Sequence, residues 1–449
     1  MKKSLTISRR NTVKLAATAA ALPLVHIRTA AAAGKLSVGF WDHWVPGANK
    51  VMQAQVDAWS AKNKVEVTAD FITTTGGKLQ LTPAAETLAK TGHDVMTFIT
   101  WDVQNYADSL EPVDDVVKRL AAANGDPNAV VTYLAKYKGH WAAVPSSSGT
   151  QTKPPCARIS WFKKNGLDLQ AMYPAKDEKN ALQDAWTWDE FLKYAEIAAK
   201  DNMTFAMGMG SGTLNTDATD THGAIFAAFG GTLIDAEGKS QLKSDGTRQA
   251  LEYAQKLVKF YPADAVSYDD ASNNRALISG KSALIFNPPS AWAVAKRDAP
   301  TVAADCWTFP APSGPKGRFV PTQSYFWGVY KFSQNKTAGK ELVEFLMQRE
   351  NVEARDNACE GYDLPPYAKL NDFKIWDEVG PPKGTVYNYP LRAASGQKPS
   401  LTGSEAAPEI AVQIYNRGVH NQMFAKLRDG QTIDQVIAWT QDELEGYTR

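Results

Sequence analysis

The stretch Trp41-Asp42-His43-Trp44 sets two indoles, a carboxylate and an imidazole side by side, and Val45-Pro46-Gly47 turns the chain straight afterwards. Ahead of it Leu36, Val38 and Phe40 alternate with smaller residues, the period of a short strand. A second aromatic and carboxylate pair, Trp101-Asp102, follows the largely apolar run 94–99. Flat apolar faces beside hydrogen-bonding groups suit a ligand with both kinds of surface, such as a sugar ring. Its C–H faces pack on aromatics, and its hydroxyls need polar partners once water is expelled. Either tryptophan alone could as well be core packing. Two such pairs at equivalent strand ends make the stronger case.

Other chemistries fail on spacing. Gly280-Lys281-Ser282 hints at a phosphate loop, but that motif needs a glycine where Arg275 stands. Gly208-Met209-Gly210-Ser211-Gly212 lacks the spacing of a dinucleotide fingerprint and reads as a loop at a cleft. There is no Gly-x-Ser-x-Gly elbow, and the six histidines offer no metal-binding pair, so no metal or cofactor is expected. Cys156, Cys306 and Cys359 allow one disulfide and a spare thiol without selecting a pair. Asp42 and Asp102 could be imagined as a glycosidase pair, the enzymatic alternative to a binding site.

The elements that must position these residues follow from periodicity. Met52, Val56 and Trp59 share a helical face after the first strand; 65–72 alternates as a second strand, another helix covers about 84–90, and 94–99 reads as a buried parallel strand. Strands alternating with helices give an α/β lobe, whose ligands collect at the carboxyl ends of the strands. Thr187 with Glu190 has the form of a capping box, opening a helix that buries Phe191, Ala195 and Ala198. With 449 residues, two or three domains are expected. Basic and acidic residues nearly cancel, 49 against 48, so no bulk field draws in nucleic acid or an anionic membrane.

The N-terminus reads as an export address. Residues 1–10 are basic, 15–25 are apolar, and Ala31-Ala32-Ala33 offers small residues for cleavage. Ser8-Arg9-Arg10-Asn11-Thr12-Val13-Lys14 resembles a twin-arginine signal, with Thr12 and Val13 departing from its pattern; an ordinary basic leader is the other reading. Residues 1–33 are therefore expected to be a cleaved signal peptide and the mature protein to be periplasmic. No later run approaches the roughly 18 apolar residues of a membrane span.

A short strand, the lysine-rich turn Phe162-Lys163-Lys164-Asn165-Gly166-Leu167 and the helix start Thr187-Trp188-Asp189-Glu190 resemble the extracellular solute-binding proteins of carbohydrate importers of the ATP-binding-cassette type. Leu277-Ile278-Ser279-Gly280-Lys281 before the strand to Asn287, then Pro289-Ser290-Ala291-Trp292, and Tyr325-Phe326-Trp327-Gly328 extend the likeness over about residues 36–350. The resemblance implies a two-lobed α/β fold, each lobe discontinuous in sequence, with crossings near Pro145, Phe286 and Pro321. It divides the chain as 34–145 in lobe one, 146–285 in lobe two, 286–321 back in lobe one and 322–449 in lobe two. It implies a cleft lined by Trp41, Asp42, His43, Trp44, Trp101, Asp102, Ser146, Asn287, Ser290, Trp292, Tyr325 and Trp327. A monomer would close on its ligand and hand it to membrane permease subunits; a sensory module passing a ligand to a receptor would use the same cleft. Aromatics outnumber basic residues in these segments, which argues for a neutral sugar or oligosaccharide over a sugar acid or phosphate; either of those would want an arginine clamp, which Arg158 could supply unless it faces water.

Overall fold

Val95–Ile99 is buried at every position, the condition of a central strand in a sheet covered on both faces. The computed structural model describes residues 34–174, 178–210, 212, 214–287, 290–378 and 395–447. The expected signal peptide at 1–33 and Pro289 lie outside the described residues. The strands run β1 Lys35–Trp41, β2 Glu66–Ile72, β3 Val95–Ile99, β4 Lys136–Tyr137, β5 His140–Trp141, β6 Val144–Pro145 and β7 Pro155–Arg158. They continue with β8 Thr204–Phe205, β9 Ser282–Phe286, β10 Cys306–Thr308, β11 Ser313–Gly314, β12 Gly317–Pro321, β13 Tyr325–Val329 and β14 Gln397–Ser400.

Two main sheets define two lobes. The first has the order β2-β1-β3-β13-β6, with β1 parallel to both β2 and β3 and β13 antiparallel to β3 and β6. Helix Pro46–Asn63 lays Met52, Val56 and Trp59 on this sheet, joined by Leu342, Val343 and Leu346 of helix Lys336–Leu346. The second sheet has the order β10-β7-β9-β8. Helix Trp188–Lys200 buries Phe191, Ala195 and Ala198 in that lobe, as its pattern requires. Only half of the expected capping box forms. Thr187 accepts from the Glu190 backbone N–H at 3.3 Å, while the Glu190 carboxylate pairs with Lys193 at 3.1 Å.

Strand pairing redraws the expected division of the chain. Cys306–Thr308 pairs with β7 in the second sheet, so 286–321 stays in the second lobe and does not return to the first. Tyr325–Val329 pairs with β3 in the first sheet, and helix Arg349–Ala358 packs on helix Pro46–Asn63, so 325–378 belongs to lobe one. No crossing occurs at Phe286, because β9 leads into helix Ser290–Asp298 and on to β10 within the same lobe. Crossings do follow Pro145 and Pro321. A return to lobe two follows Glu378, since β14 pairs with β12 and helix Val419–Arg428 packs on Thr216–Phe229. The swap was illegible locally: an apolar strand carries no mark of which sheet it will join.

The crossing segments are tied to one another. Every residue from 142 to 157 is buried. The Ser146 N–H donates to the Tyr325 carbonyl at 3.0 Å, the Lys153 N–H to the Pro321 carbonyl at 2.9 Å, and the Thr322 N–H to the Ser400 carbonyl at 3.0 Å. The lobes also touch: helix Pro408–Arg417 packs on helix Asp102–Tyr106, and the Trp101 indole N–H donates to the Thr402 carbonyl at 2.9 Å. All three cysteines are buried free thiols.

Candidate functional site

On the lobe-one side, Trp41 ends β1, and Tyr325 begins β13 directly opposite Ile99, the last residue of β3. Antiparallel pairing thus brings the start of one strand to the carboxyl ends of the parallel ones. The Trp41 ring lies 4.5 Å from His43, 4.9 Å from Tyr325 and 5.8 Å from Tyr362, centroid to centroid. His43 Nδ1 accepts the Val45 N–H at 2.8 Å, so the neutral ring carries its proton on Nε2 and donates it to Asp363 at 3.0 Å. Asp363 also accepts the Gly149 N–H of the first crossing at 2.7 Å. One carboxylate therefore joins the end of β1, the crossing and the chain after helix Arg349–Ala358.

His43, Cys359 and Asp363 bring three potential metal-ligand atoms within 4.8 Å of one another. The donor chemistry does not fit an ion. A histidine bound through Nε2 must carry its proton on Nδ1 and donate it, but here Nδ1 faces the Val45 N–H. Burial together with Asp363 and Asp356 also pushes the Cys359 thiol well above its ordinary pKa, against the thiolate a metal requires.

The lobe-two side is polar. Asn215 caps helix Thr216–Phe229, with Asp217 in its first turn and Asp220 three residues on. The buried Lys153 ammonium lies 2.8 Å from Asp217, 2.8 Å from Asp220 and 3.2 Å from the Thr216 hydroxyl. Burial pulls its pKa down, but Asp217, Asp220 and Asp270 outweigh that and hold it above the ordinary lysine value. Asp270 accepts from the Thr216 hydroxyl at 3.1 Å and from the Asp217 N–H at 3.3 Å. Asn273 and Asn287 both donate to Asp217, at 2.9 and 3.0 Å, and Ser290 donates to Asn287. Burial raises Asp220 to about 6 against the pull of Lys153, and burial with the neighbouring Asp217 raises Asp270.

The two sides meet at Tyr325. Burial raises its phenol pKa; Lys153 opposes that, while Asp270, Asp217 and Asp363 add to it, so its hydroxyl stands in the field of both walls.

The structure thus gathers Trp41, His43, Ser146 and Tyr325 on one side of the junction, and Asn287 with Ser290 on the other. Trp101 is fully buried between the lobes. Asp102 accepts the Ile99 N–H at 3.2 Å, and burial raises it to about 7. Asp42 accepts from the Asn49 amide at 2.7 Å, and Trp44 is half-buried beside the core. Trp292 is half-buried with the Lys296 ammonium 5.1 Å from its ring centre. Trp327 stands apart. It lies two residues farther along β13, buried against Phe40 at 5.5 Å with the Arg355 guanidinium over its face at 5.8 Å.

Sequence reasoning missed Lys153, Asp217, Asp220, Asp270, Tyr362 and Asp363. Asp217 and Asp220 carried a signal: two carboxylates three apart on one helical face, just after the glycine loop assigned to a cleft. Asp363 carried none, since its partners are 320 and 214 residues away in sequence.

The sequence finds no match among curated proteins. The fold is similar to several solved structures. Maltose-bound MalE3 of T. maritima has a TM-score of 0.71 at 18% identity, covering 92% of this chain and 99% of that one. A sugar transporter from Arthrobacter chlorophenolicus A6 with bound laminaribiose gives 0.69 at 17%, covering 92% and 99%. The GacH receptor of Streptomyces glaucescens GLA.O, studied unliganded and with acarbose, gives 0.70 at 17%, covering 92% and 98%. Two α/β lobes joined by buried crossings accord with these likenesses. Because residues 46–353 match the family model for bacterial extracellular solute-binding proteins, the chain belongs to that family.

Proposed function

We propose that this protein is the exported, periplasmic binding subunit of an ATP-binding-cassette importer, capturing a sugar or oligosaccharide between its lobes and delivering it to the membrane permease. The observation that carries the reading is the junction itself. The rings of Trp41, Tyr325 and Tyr362 stand on one side, and the amide and carboxylate groups of Asp217, Asp270, Asn273 and Asn287 on the other. A saccharide has the matching surfaces, apolar ring faces and hydroxyl donors. The structural relatives named above include proteins bound to maltose and to laminaribiose, which supports the class of ligand. No step in this function breaks a bond, so the carboxylates act as hydrogen-bond acceptors.

The test is a thermal-shift screen of the purified protein against mono-, di- and trisaccharides. A ligand that binds only the folded state raises the melting temperature, by an amount that grows with concentration over Kd. At least one saccharide should do so at micromolar to millimolar concentration. A screen without a shift, or one in which a disaccharide is turned over, would reject the reading.

A further inference from the structure

The buried charges at the lobe junction do not balance. Asp217, Asp220 and Asp270 stand on the lobe-two side, and Asp356 and Asp363 on the lobe-one side; against these five carboxylates the same region buries two cations, Lys153 and Arg355. Arg355 is engaged with Gln55 and the Ser147 hydroxyl, at 2.7 and 2.9 Å. Burying an unpaired carboxylate costs several kcal/mol, so such a surplus takes up protons or awaits a counter-ion. The raised pKa values of Asp220 and Asp270 are the first of these responses.

Two further observations indicate that a ligand completes the junction. Among the described residues, the indole N–H of Trp41, 3% exposed and packed on Tyr325, has no hydrogen-bond partner, and neither do the two carboxylate oxygens of the buried Asp356. Buried polar atoms of this kind are rare unless a water, an ion or a ligand serves them. The acid cluster also shows what cation it accepts. Lys153 places an alkylammonium 2.8 Å from each of two of its carboxylates.

We propose that the ligand is an amine-bearing saccharide, an amino sugar or a short oligosaccharide of one, with its ammonium among Asp217, Asp270 and Asp363 and its ring against Tyr325 and Trp41. This rests on the saccharide reading above and replaces the neutral ligand expected from counting basic residues alone. That count weighed Arg158 as a clamp for an anion and overlooked the acids. The aromatic wall serves both parts of such a ligand, through C–H packing and through cation–π attraction to the ammonium.

The test is calorimetry with sets matched except at C2: cellobiose, its diamino counterpart chitobiose and N,N′-diacetylchitobiose, then glucose, glucosamine and N-acetylglucosamine, and the galactose and mannose series. In at least one set the free amine binds tenfold or more tighter than both neutral forms. Asp270→Asn removes the charge; its one oxygen can still accept the Asp217 N–H while its NH2 faces the Thr216 hydroxyl oxygen, and it brings the amine-to-neutral ratio toward one. Asp363→Asn, whose one oxygen can serve both His43 and the Gly149 N–H, does the same if the first variant folds poorly. Neutral saccharides binding as tightly as their amines would overturn this inference and leave the saccharide reading standing. A ratio unchanged in both folded variants would overturn the assignment to the acid cluster. Absence of binding by every member of the sets would overturn this inference, while the saccharide reading falls only if the wider thermal-shift screen also fails.

Discussion

At the scale of single residues, the tryptophans divide by what they touch. Trp41 ends its strand among His43, Tyr325 and Tyr362, and its N–H has no partner among the described residues. Trp327, in the middle of β13, is enclosed by core side chains. Trp41→Ala is therefore expected to weaken saccharide binding about ten- to a hundredfold, the worth of roughly 1.5 to 3 kcal/mol of buried aromatic surface. Trp327→Ala is expected to lower the stability of the ligand-free protein by about 3 to 5 kcal/mol. Calorimetry and denaturant unfolding on both variants separate the roles; equal affinity losses in the two would refute the division.

At the scale of elements, two joints carry most of the constraint. Gly149 in the first crossing has φ of +92°, and a Cβ there would lie 2.3 Å from the Tyr325 ring. Its N–H and C=O are both taken, by Asp363 and by the Leu364 N–H. Gly149→Ala should cost about 1–3 kcal/mol from the left-handed backbone and a similar amount from overpacking. Urea titration reads this directly, and a loss below about 1 kcal/mol would show that the crossing yields.

The second joint is the clamp between helices Thr216–Phe229 and Val419–Arg428. His222 hydrogen-bonds Asn421 at 2.7 Å and Tyr261 at 2.8 Å and stacks on Phe424 at 3.7 Å. Burial lowers His222 from 6.5 to about 3 and His420 to about 4. A depressed folded-state pKa means that the unfolded chain binds the proton first. Stability from the neutral ring is complete above pH 6.5 and is lost as pH falls toward 3, by about 2 kcal/mol per ring at pH 5. Asp102 and Asp220 act oppositely: their raised pKa values relieve a burial cost on acidification. His222→Gln isolates the clamp, and the stability gap between wild type and variant should shrink by about 2 kcal/mol from pH 7 to pH 5. A gap constant over that range would mean that His222 does not titrate as its burial requires.

At the scale of the whole molecule, the described state has its lobes in contact through Trp101 and Thr402 and through helices Pro408–Arg417 and Asp102–Tyr106. A two-lobed molecule on tied crossings moves by closing as a hinge. Small-angle scattering should give a smaller radius of gyration with saturating saccharide than without it, and superimposable profiles would count against hinge closure. Light scattering at micromolar concentration should return one chain's mass. A stable dimer would conflict with transient docking of both lobes on a permease.

Local pattern determined much of this protein by itself. Alternation and apolar runs fixed β1, β2 and β3, helical periodicity fixed the buried faces of Pro46–Asn63 and Trp188–Lys200, and the ordered motifs through residue 350 identified the family. Trp41, His43 and Tyr325 were chosen as site candidates because strand ends in an α/β lobe are where sites form, and they do lie together at the junction. What needed the tertiary structure was long-range pairing. Which sheet receives Cys306–Thr308 or Tyr325–Val329 is settled by partners about 150 and 230 residues away, and no local period encodes that choice. The polar half of the junction was hidden for the same reason. Lys153, Asp217 and Asp270 are ordinary surface residue types in a sequence, and their meaning arises once three distant segments bury them together, where each charge must find a partner.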